Sequence, residues 1–295
     1  MKSAFSHGIG RRTFLGALGG MGAVAVFGKG TAAEGPQPKR KGRLKQALCR
    51  GVFRGLKLSF EEMCQHAARL GAYGIDLVGP SEFPTLRKYG LLATMVPGGS
   101  SIKKGINDKA NHAEIEPKMR EAIEAASAAG MPNVIVLAGD RTGLSDEQGL
   151  ENSVVFLNKI KGLAEKKNVT LCLELLNSKV DHPGYMADRT AWGVELCKRV
   201  NSERVKLLYD IYHMQIMEGD IIRTIRQNIQ WIAHFHTAGN PGRNEFDESQ
   251  ELYYPAICKA IADLGFQGFI AHEYSPSKGK DPIATLEKMM ALCDV

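Results

Sequence analysis

Eight short apolar runs of strand length alternate along this chain with longer stretches of helical periodicity. The runs fall at residues 44–49, 74–78, 91–95, 133–137, 170–175, 205–209, 232–236 and 268–272. Helical patterns lie between them. The stretch 59–72 opens with Ser59 three residues before Glu62, the spacing of a capping box. The Ala-rich stretch 116–130 ends at Gly130, a natural helix stop. Others cover 145–168, 188–201, 219–228, 253–265 and 281–293. Strands that alternate with helices pair in parallel, because each helix carries the chain back to the same end of the sheet. Eight such units predict an α/β fold, the (β/α)8 TIM barrel, which takes about 250 residues. A doubly wound open sheet is the alternative. No Gly-rich phosphate loop follows any of the runs, which weakens it.

In a parallel barrel the C-terminal ends of the strands meet on one face, where active sites sit. Four runs of the second half end on a side chain able to ligate a cation: Glu174, Asp210, His236 and Glu273. A single polar strand end is explained by its meeting solvent. Four of them form a donor set for one divalent ion, Mn²⁺ or Mg²⁺ by its carboxylate content, with Co²⁺ or Zn²⁺ as alternatives. His234, two residues before His236, points to the same side of its strand. It is read as a core histidine in preference to a second functional group.

The first 33 residues read as an address. Arg11 and Arg12 precede Phe14-Leu15 and a glycine-rich apolar stretch, and Thr31-Ala32-Ala33 offers small residues for cleavage. That order is a signal peptide, and the paired arginines resemble the twin-arginine export signal, which implies a periplasmic or extracellular location. A disordered basic tail is the alternative. Residues 34–43 are expected to be a linker, and 44–295 a single catalytic barrel. The chain carries a net charge of +6. Of the 38 basic residues, Lys2, Arg11, Arg12 and Lys29 lie before residue 34; the remaining 34 face 32 acidic ones, a charge of +2. Such a balance offers nothing to nucleic acid. No stretch marks a membrane span. The six cysteines show no CxxC spacing and are expected to be buried free thiols.

The segment 210–220, Asp-Ile-Tyr-His-Met-Gln-Ile-Met-Glu-Gly-Asp, resembles the matching segment of the hydroxypyruvate isomerase family, within the xylose isomerase-like barrels that also hold the sugar 3-epimerases. Further similarity lies in Gly239-Asn240-Pro241-Gly242-Arg243-Asn244-Glu245, in Tyr254-Pro255, in the run ending at Glu273, in 101–112 and in Pro183-Gly184-Tyr185. The resemblance spans residue 44 to the C-terminus. It implies that Glu174, Asp210, His236 and Glu273 hold a metal, and that Glu174 and Glu273 also move the substrate proton. It further implies that His213 polarises a substrate oxygen. Two departures stand out. Hydroxypyruvate isomerases tend to carry Gln where this chain has His236, whereas the sugar enzymes carry His. The acid expected six residues after Glu174 is replaced by Val180, with Asp181 one place later.

Chemistry completes the reading. Moving a carbonyl by one carbon, or inverting the neighbouring carbinol, requires removal of a carbon-bound proton. A divalent metal supplies Lewis acidity for the enediolate that results, and two opposed carboxylates take and return the proton. Arg243 offers a planar fork for a carboxylate or vicinal oxygens. His112 and Asn177 are further candidates for substrate contact, with a structural role as the alternative. The expected function is a metal-dependent isomerase or epimerase of a small α-hydroxy carbonyl compound, hydroxypyruvate or a keto-sugar. Oligomeric state is left open, a homo-oligomer included. Two rivals are an endonuclease IV-like zinc phosphodiesterase and an exported sugar-binding barrel without catalysis. The first needs histidines that are missing between His66 and His112 and an Asp-x-His after Arg243, where the chain reads Asn-Glu-Phe-Asp-Glu-Ser. The second gives no reason for two opposed glutamates.

Overall fold

A computed structural model describes residues 40–295. The expected signal segment lies outside the described residues. Of the expected linker, Arg40 to Arg43 are described, and they are tied to the barrel. Arg40 donates through Nε and Nη2 to the Leu70 carbonyl, at 3.2 and 3.0 Å, and Asp294 accepts from the Lys41 and Gly42 N–H groups.

Eight parallel strands form the sheet: β1 (Lys45–Leu48), β2 (Gly74–Asp76), β3 (Leu92–Met95), β4 (Asn133–Val136), β5 (Thr170–Leu175), β6 (Val205–Asp210), β7 (Ile232–Thr237) and β8 (Phe269–His272). Each lies within two residues of an expected run. The ladder order is β3-β2-β1-β8-β7-β6-β5-β4. Its two edges meet at a single parallel bridge between Val96 and Val134, where Val96 N–H donates to Asn133 and Ile135 N–H donates to Val96, both at 2.9 Å. The barrel is therefore nearly closed, with its loosest seam between β3 and β4. Above the seam the loop after β3 packs backbone to backbone on the loop after β4. Gly105 allows this, since a Cβ there would lie 2.1 Å from the Ala138 carbonyl oxygen.

The helices α1 (Phe60–Arg69), α2 (Phe83–Lys88), α3 (His112–Ala128), α4 (Asp146–Lys167), α5 (Thr190–Val200), α6 (Ile211–Met217), α7 (Ile221–Asn228), α8 (Tyr254–Asp263) and α9 (Pro282–Leu292) surround the barrel. Ser59 and Glu62 close the expected capping box on α1, and Ser145 and Gln148 close another on α4. A large apolar cluster joins helices to sheet. Two small clusters stand apart from it, one of Ala47, Cys49, Phe269 and Ala271, the other of Met95, Ile135, Cys172 and Leu208. Strand side chains alternate between faces, so these form the packing inside the barrel. All six cysteines are buried free thiols. None of the described helices is long and apolar enough to cross a membrane.

Two irregularities in the ladder decide what faces the barrel axis. On β7 the register passes from Leu207↔Ile232 to Leu208↔His234, so Ala233 is an extra residue. Without it Asp210 would pair with Phe235; with it Asp210 pairs with His236. On β3 the register passes from Ile75↔Ala93 to Asp76↔Met95, leaving Thr94 as the extra residue. A bulge of this kind re-aims side chains, and bulges concentrate beside functional sites.

Candidate metal centre

At the C-terminal face, ligand atoms of Glu174, Asp210, His236 and Glu273 all lie within 4.8 Å of one another. Their strands are consecutive in the ladder, β5-β6-β7-β8. The two glutamates therefore stand at the outer ends of the set, with Asp210 and His236 between them. His236 Nδ1 lies 3.0 Å from Glu174 Oε1, 2.9 Å from Glu273 Oε2 and 4.0 Å from Asp210 Oδ2.

Buried tyrosines hold the strand ends in place. The Tyr185 hydroxyl accepts from Ala138 N–H and donates to the Glu174 carbonyl, each at 3.0 Å. The Tyr254 hydroxyl likewise spans the N–H and carbonyl of Ala238, just past β7. Asp210 has a structural task as well. It is the N-cap of α6 and accepts from His213 N–H at 3.2 Å, so the helix starts as soon as the strand ends. That capped turn brings His213 back over the site, with Nε2 3.6 Å from Asp210 Oδ2.

Each predicted residue can now be placed. Arg243 reaches in from the loop after β7, 2.6 Å from Glu273 Oε2 and 3.5 Å from Asp210 Oδ2, with its guanidinium over the Tyr212 ring. Its backbone lies in the left-handed region at φ 56°, a conformation uncommon for residues that carry a side chain. Asn177 donates to His213 Nδ1 through both its backbone N–H, at 3.2 Å, and its side-chain amide, at 2.6 Å. Its Oδ1 accepts from Val180 and Asp181 N–H, which fixes the amide's orientation. Asp181, displaced by one residue from its expected place, accepts from Asn177 Nδ2 at 2.6 Å. The structure does not bring His112 into this group: it pairs with the Ile106 carbonyl at 2.9 Å and packs on Phe156.

One residue escaped the sequence reading. Asp76, fully buried at the end of β2, lies 2.7 Å from His234 Nε2 and 2.9 Å from His236 Nε2 through the same oxygen. Thr94 donates to its other oxygen. His234 is thus a core histidine with one partner, and its Nδ1 has none. An acid inside an apolar, parallel strand was the available signal, because a charge buried there must be paired.

Electrostatics sort the carboxylates. Burial raises Glu174, and His236 only partly offsets this. Burial likewise pushes Asp210 up to about 6 against the pull of Arg243. Burial pushes Glu273 upward too, yet His236 and Arg243 together hold it well below the ordinary carboxylate range. Asp76 is also depressed, its burial outweighed by the two imidazoles. Burial opposes the charged form of His236, but Glu273, Cys49 and the bond to Asp76 raise it well above its ordinary value. The cluster thus draws positive charge to Nδ1, a buried atom without a hydrogen-bond partner of acceptable geometry. Three carboxylates around that atom fit a divalent cation of the hard or borderline kind.

Comparison with known proteins agrees with this fold. The family model described as "Xylose isomerase-like TIM barrel" matches residues 56–293. A 2-oxo-tetronate isomerase of Cupriavidus necator is 33% identical over 172 residues, 57% of this chain and 64% of that protein. A hydroxypyruvate isomerase of Escherichia coli is 32% identical over 164 residues, 55% and 63% of the two chains. The chain thus spans less than two thirds of the length of these curated relatives. The crystal structure of a 3-keto-D-glucoside 4-epimerase from E. coli superposes with a TM-score of 0.73 at 18% identity, covering 85% of this chain and 98% of that one. It attests the fold.

Proposed function

The chain belongs to the xylose isomerase-like TIM barrel family, and from that premise we propose that it is a metal-dependent isomerase or epimerase of a small α-hydroxy carbonyl compound. The observation that carries the reading is the convergence of Glu174, Asp210, His236 and Glu273 within 4.8 Å, with the two glutamates on the outer strands of the four. A divalent ion, Mn²⁺ or Mg²⁺ by the donor set, would supply Lewis acidity to the substrate's oxygens.

The chain's own residues do the rest. Glu273, 2.6 Å from the Arg243 guanidinium, stands on one side of the substrate to move the carbon-bound proton. Glu174, at the other end of the set, faces the opposite side and serves as its partner in taking and returning that proton. His213, with Nδ1 occupied by Asn177, presents Nε2–H to a substrate oxygen. Arg243 uses one nitrogen on Glu273 and Asp210, and its other donors would serve a substrate carboxylate or vicinal hydroxyls.

The relatives named for 2-oxo-tetronate and hydroxypyruvate support a short 2-keto acid as the first substrate to try, with ketoses next. The test is to incubate the Mg²⁺- or Mn²⁺-loaded protein with each in D₂O and read products by NMR after removing the ion. Isomerised product carrying deuterium at carbon supports the proposal. Binding without exchange marks a sugar-binding barrel, and cleavage of an abasic duplex marks a nuclease. Export by the twin-arginine route is part of the same proposal, resting on Arg11-Arg12 and the stretch that follows. Replacing both arginines by lysine should hold the protein in the cytoplasm; unchanged export would remove this part.

A further inference from the structure

We infer that Asp76 is a positioning residue, which holds the His236 imidazole with its proton on Nε2 and its Nδ1 lone pair turned into the four-residue cluster. The inference rests on the reading of that cluster as a metal centre, and concerns how the chain prepares it.

The geometry fixes one proton on Nε2 of His236. Asp76 Oδ2 lies 2.9 Å from His236 Nε2 and 2.7 Å from His234 Nε2. A carboxylate oxygen only accepts, so both imidazoles must present N–H there. Thr94 donates to Oδ1, so both carboxylate oxygens are engaged. With one proton committed to Asp76, the neutral ring has its lone pair on Nδ1, the atom 2.9–3.0 Å from Glu273 and Glu174, and an ion there takes the place of a second proton. An imidazole fixed by a carboxylate on its far nitrogen is the usual support of a metal-ligating histidine. Both register irregularities build this contact. The extra Ala233 turns His234 and His236 to the side of Leu208 and Asp210, and the extra Thr94 sets a hydroxyl on Asp76.

A competing arrangement places the ion on the other nitrogen. Cys49, Asp76 and His236 also form a group of potential ligands, with Cys49 Sγ 3.9 Å from Nε2. An ion there would have one carboxylate in place of three, and it would have to displace His234 as well as His236 from Asp76 Oδ2. The Nδ1 side is favoured on both counts.

The test uses ¹⁵N-labelled protein loaded with diamagnetic Zn²⁺, and long-range ¹H–¹⁵N correlation of the histidine rings. In the unaltered protein, His236 should show a protonated Nε2 and an ion-shifted Nδ1. An ion on Nε2, or a proton on Nδ1 in the neutral ion-free ring, would overturn the inference without recourse to any variant. In Asp76→Asn the amide N–H₂ can face Nε2 and drive the proton to Nδ1. Metal affinity should then fall about 10–100-fold, with the ion-free neutral ring protonated on Nδ1. Thr94→Val keeps the carboxylate and should keep the Nε2–H form. An Asp76→Asn protein that binds metal within twofold of the original, with Nε2 still protonated, would contradict the role. If the unaltered protein binds no divalent ion, the metal reading fails, while the ion-free ring spectra of the two proteins still decide whether Asp76 sets the tautomer.

Discussion

The backbone N–H of Asn177 donates to Nδ1 of His213 across 3.2 Å. A peptide N–H can only donate, so Nδ1 carries no proton, and in the neutral ring Nε2 does. His213 is held neutral, since burial and then the charge of Arg243 press it well below its ordinary value. The residue is thus a hydrogen-bond donor toward the site, which argues against its serving as a base. His213→Gln, which retains an N–H donor, should keep more turnover than His213→Ala. The alanine variant should lose about 10²–10³-fold in kcat, the usual effect of removing one donor to a developing oxyanion. A pH–rate profile should show no limb removed by the glutamine change. A limb that vanishes with it would return His213 to the candidates for base.

The metal centre predicts about one divalent ion per chain, from one four-ligand set. Asp210→Asn and His236→Ala should each lose the ion with the circular dichroism spectrum retained, which elemental analysis of dialysed protein checks. Two or three zinc ions per chain would favour the phosphodiesterase.

Tyr185 links the loop after β4 to the end of β5, because its hydroxyl serves both Ala138 N–H and the Glu174 carbonyl. Tyr185→Phe leaves both groups buried without that partner. It should lower stability by about 1–3 kcal/mol, measured by urea unfolding, and reduce turnover by loosening Glu174. Unchanged stability would show that the two backbone groups find other partners.

His272 makes stability fall in acid. It is fully buried, accepting from the Thr237 hydroxyl at Nδ1 and donating to Gln46 at Nε2, and burial drives it from 6.5 down to about 3. Between those values the unfolded chain binds the proton and the folded chain does not. Stability therefore rises with pH through this window, and falls as pH drops from 6.5 toward 3, by up to about 1.4 kcal/mol per pH unit. Urea melts at pH 7, 5 and 4 in chelator should show this slope. His272→Gln should flatten it; an unchanged slope would assign the acid sensitivity elsewhere.

The eight strands were legible because each is an apolar run between turn residues, and their bounds shifted by two residues at most. Glu174, Asp210, His236 and Glu273 were legible because a parallel barrel gathers strand ends on one face. The partners of Asp76 were not, because they lie on β7, about 160 residues away in sequence, and are turned to it by a bulge that no local pattern reveals. The short helix α6 was missed for a related reason. Asp210 reads as a ligand, and its second task as the cap that starts the helix appears only when His213 N–H is seen to donate to it. His112 shows the converse. Substrate contact and a structural role were both open for it, and its contacts in the structure are the Ile106 carbonyl and the Phe156 ring.

The central claim is that Glu174 and Glu273 are the proton-transfer pair, and solvent exchange in their glutamine variants tests it most directly. Glu174→Gln and Glu273→Gln each keep an oxygen able to ligate and lose the base. With the metal loaded to the same level, turnover should fall by about 10²–10⁴-fold in each, the range for general acid–base catalysis. Because the two glutamates stand at opposite ends of the set, each variant should still exchange the carbon-bound proton on the side of the glutamate it retains. Neither variant should complete the isomerisation efficiently. Near-normal turnover in both metal-loaded variants would contradict the account.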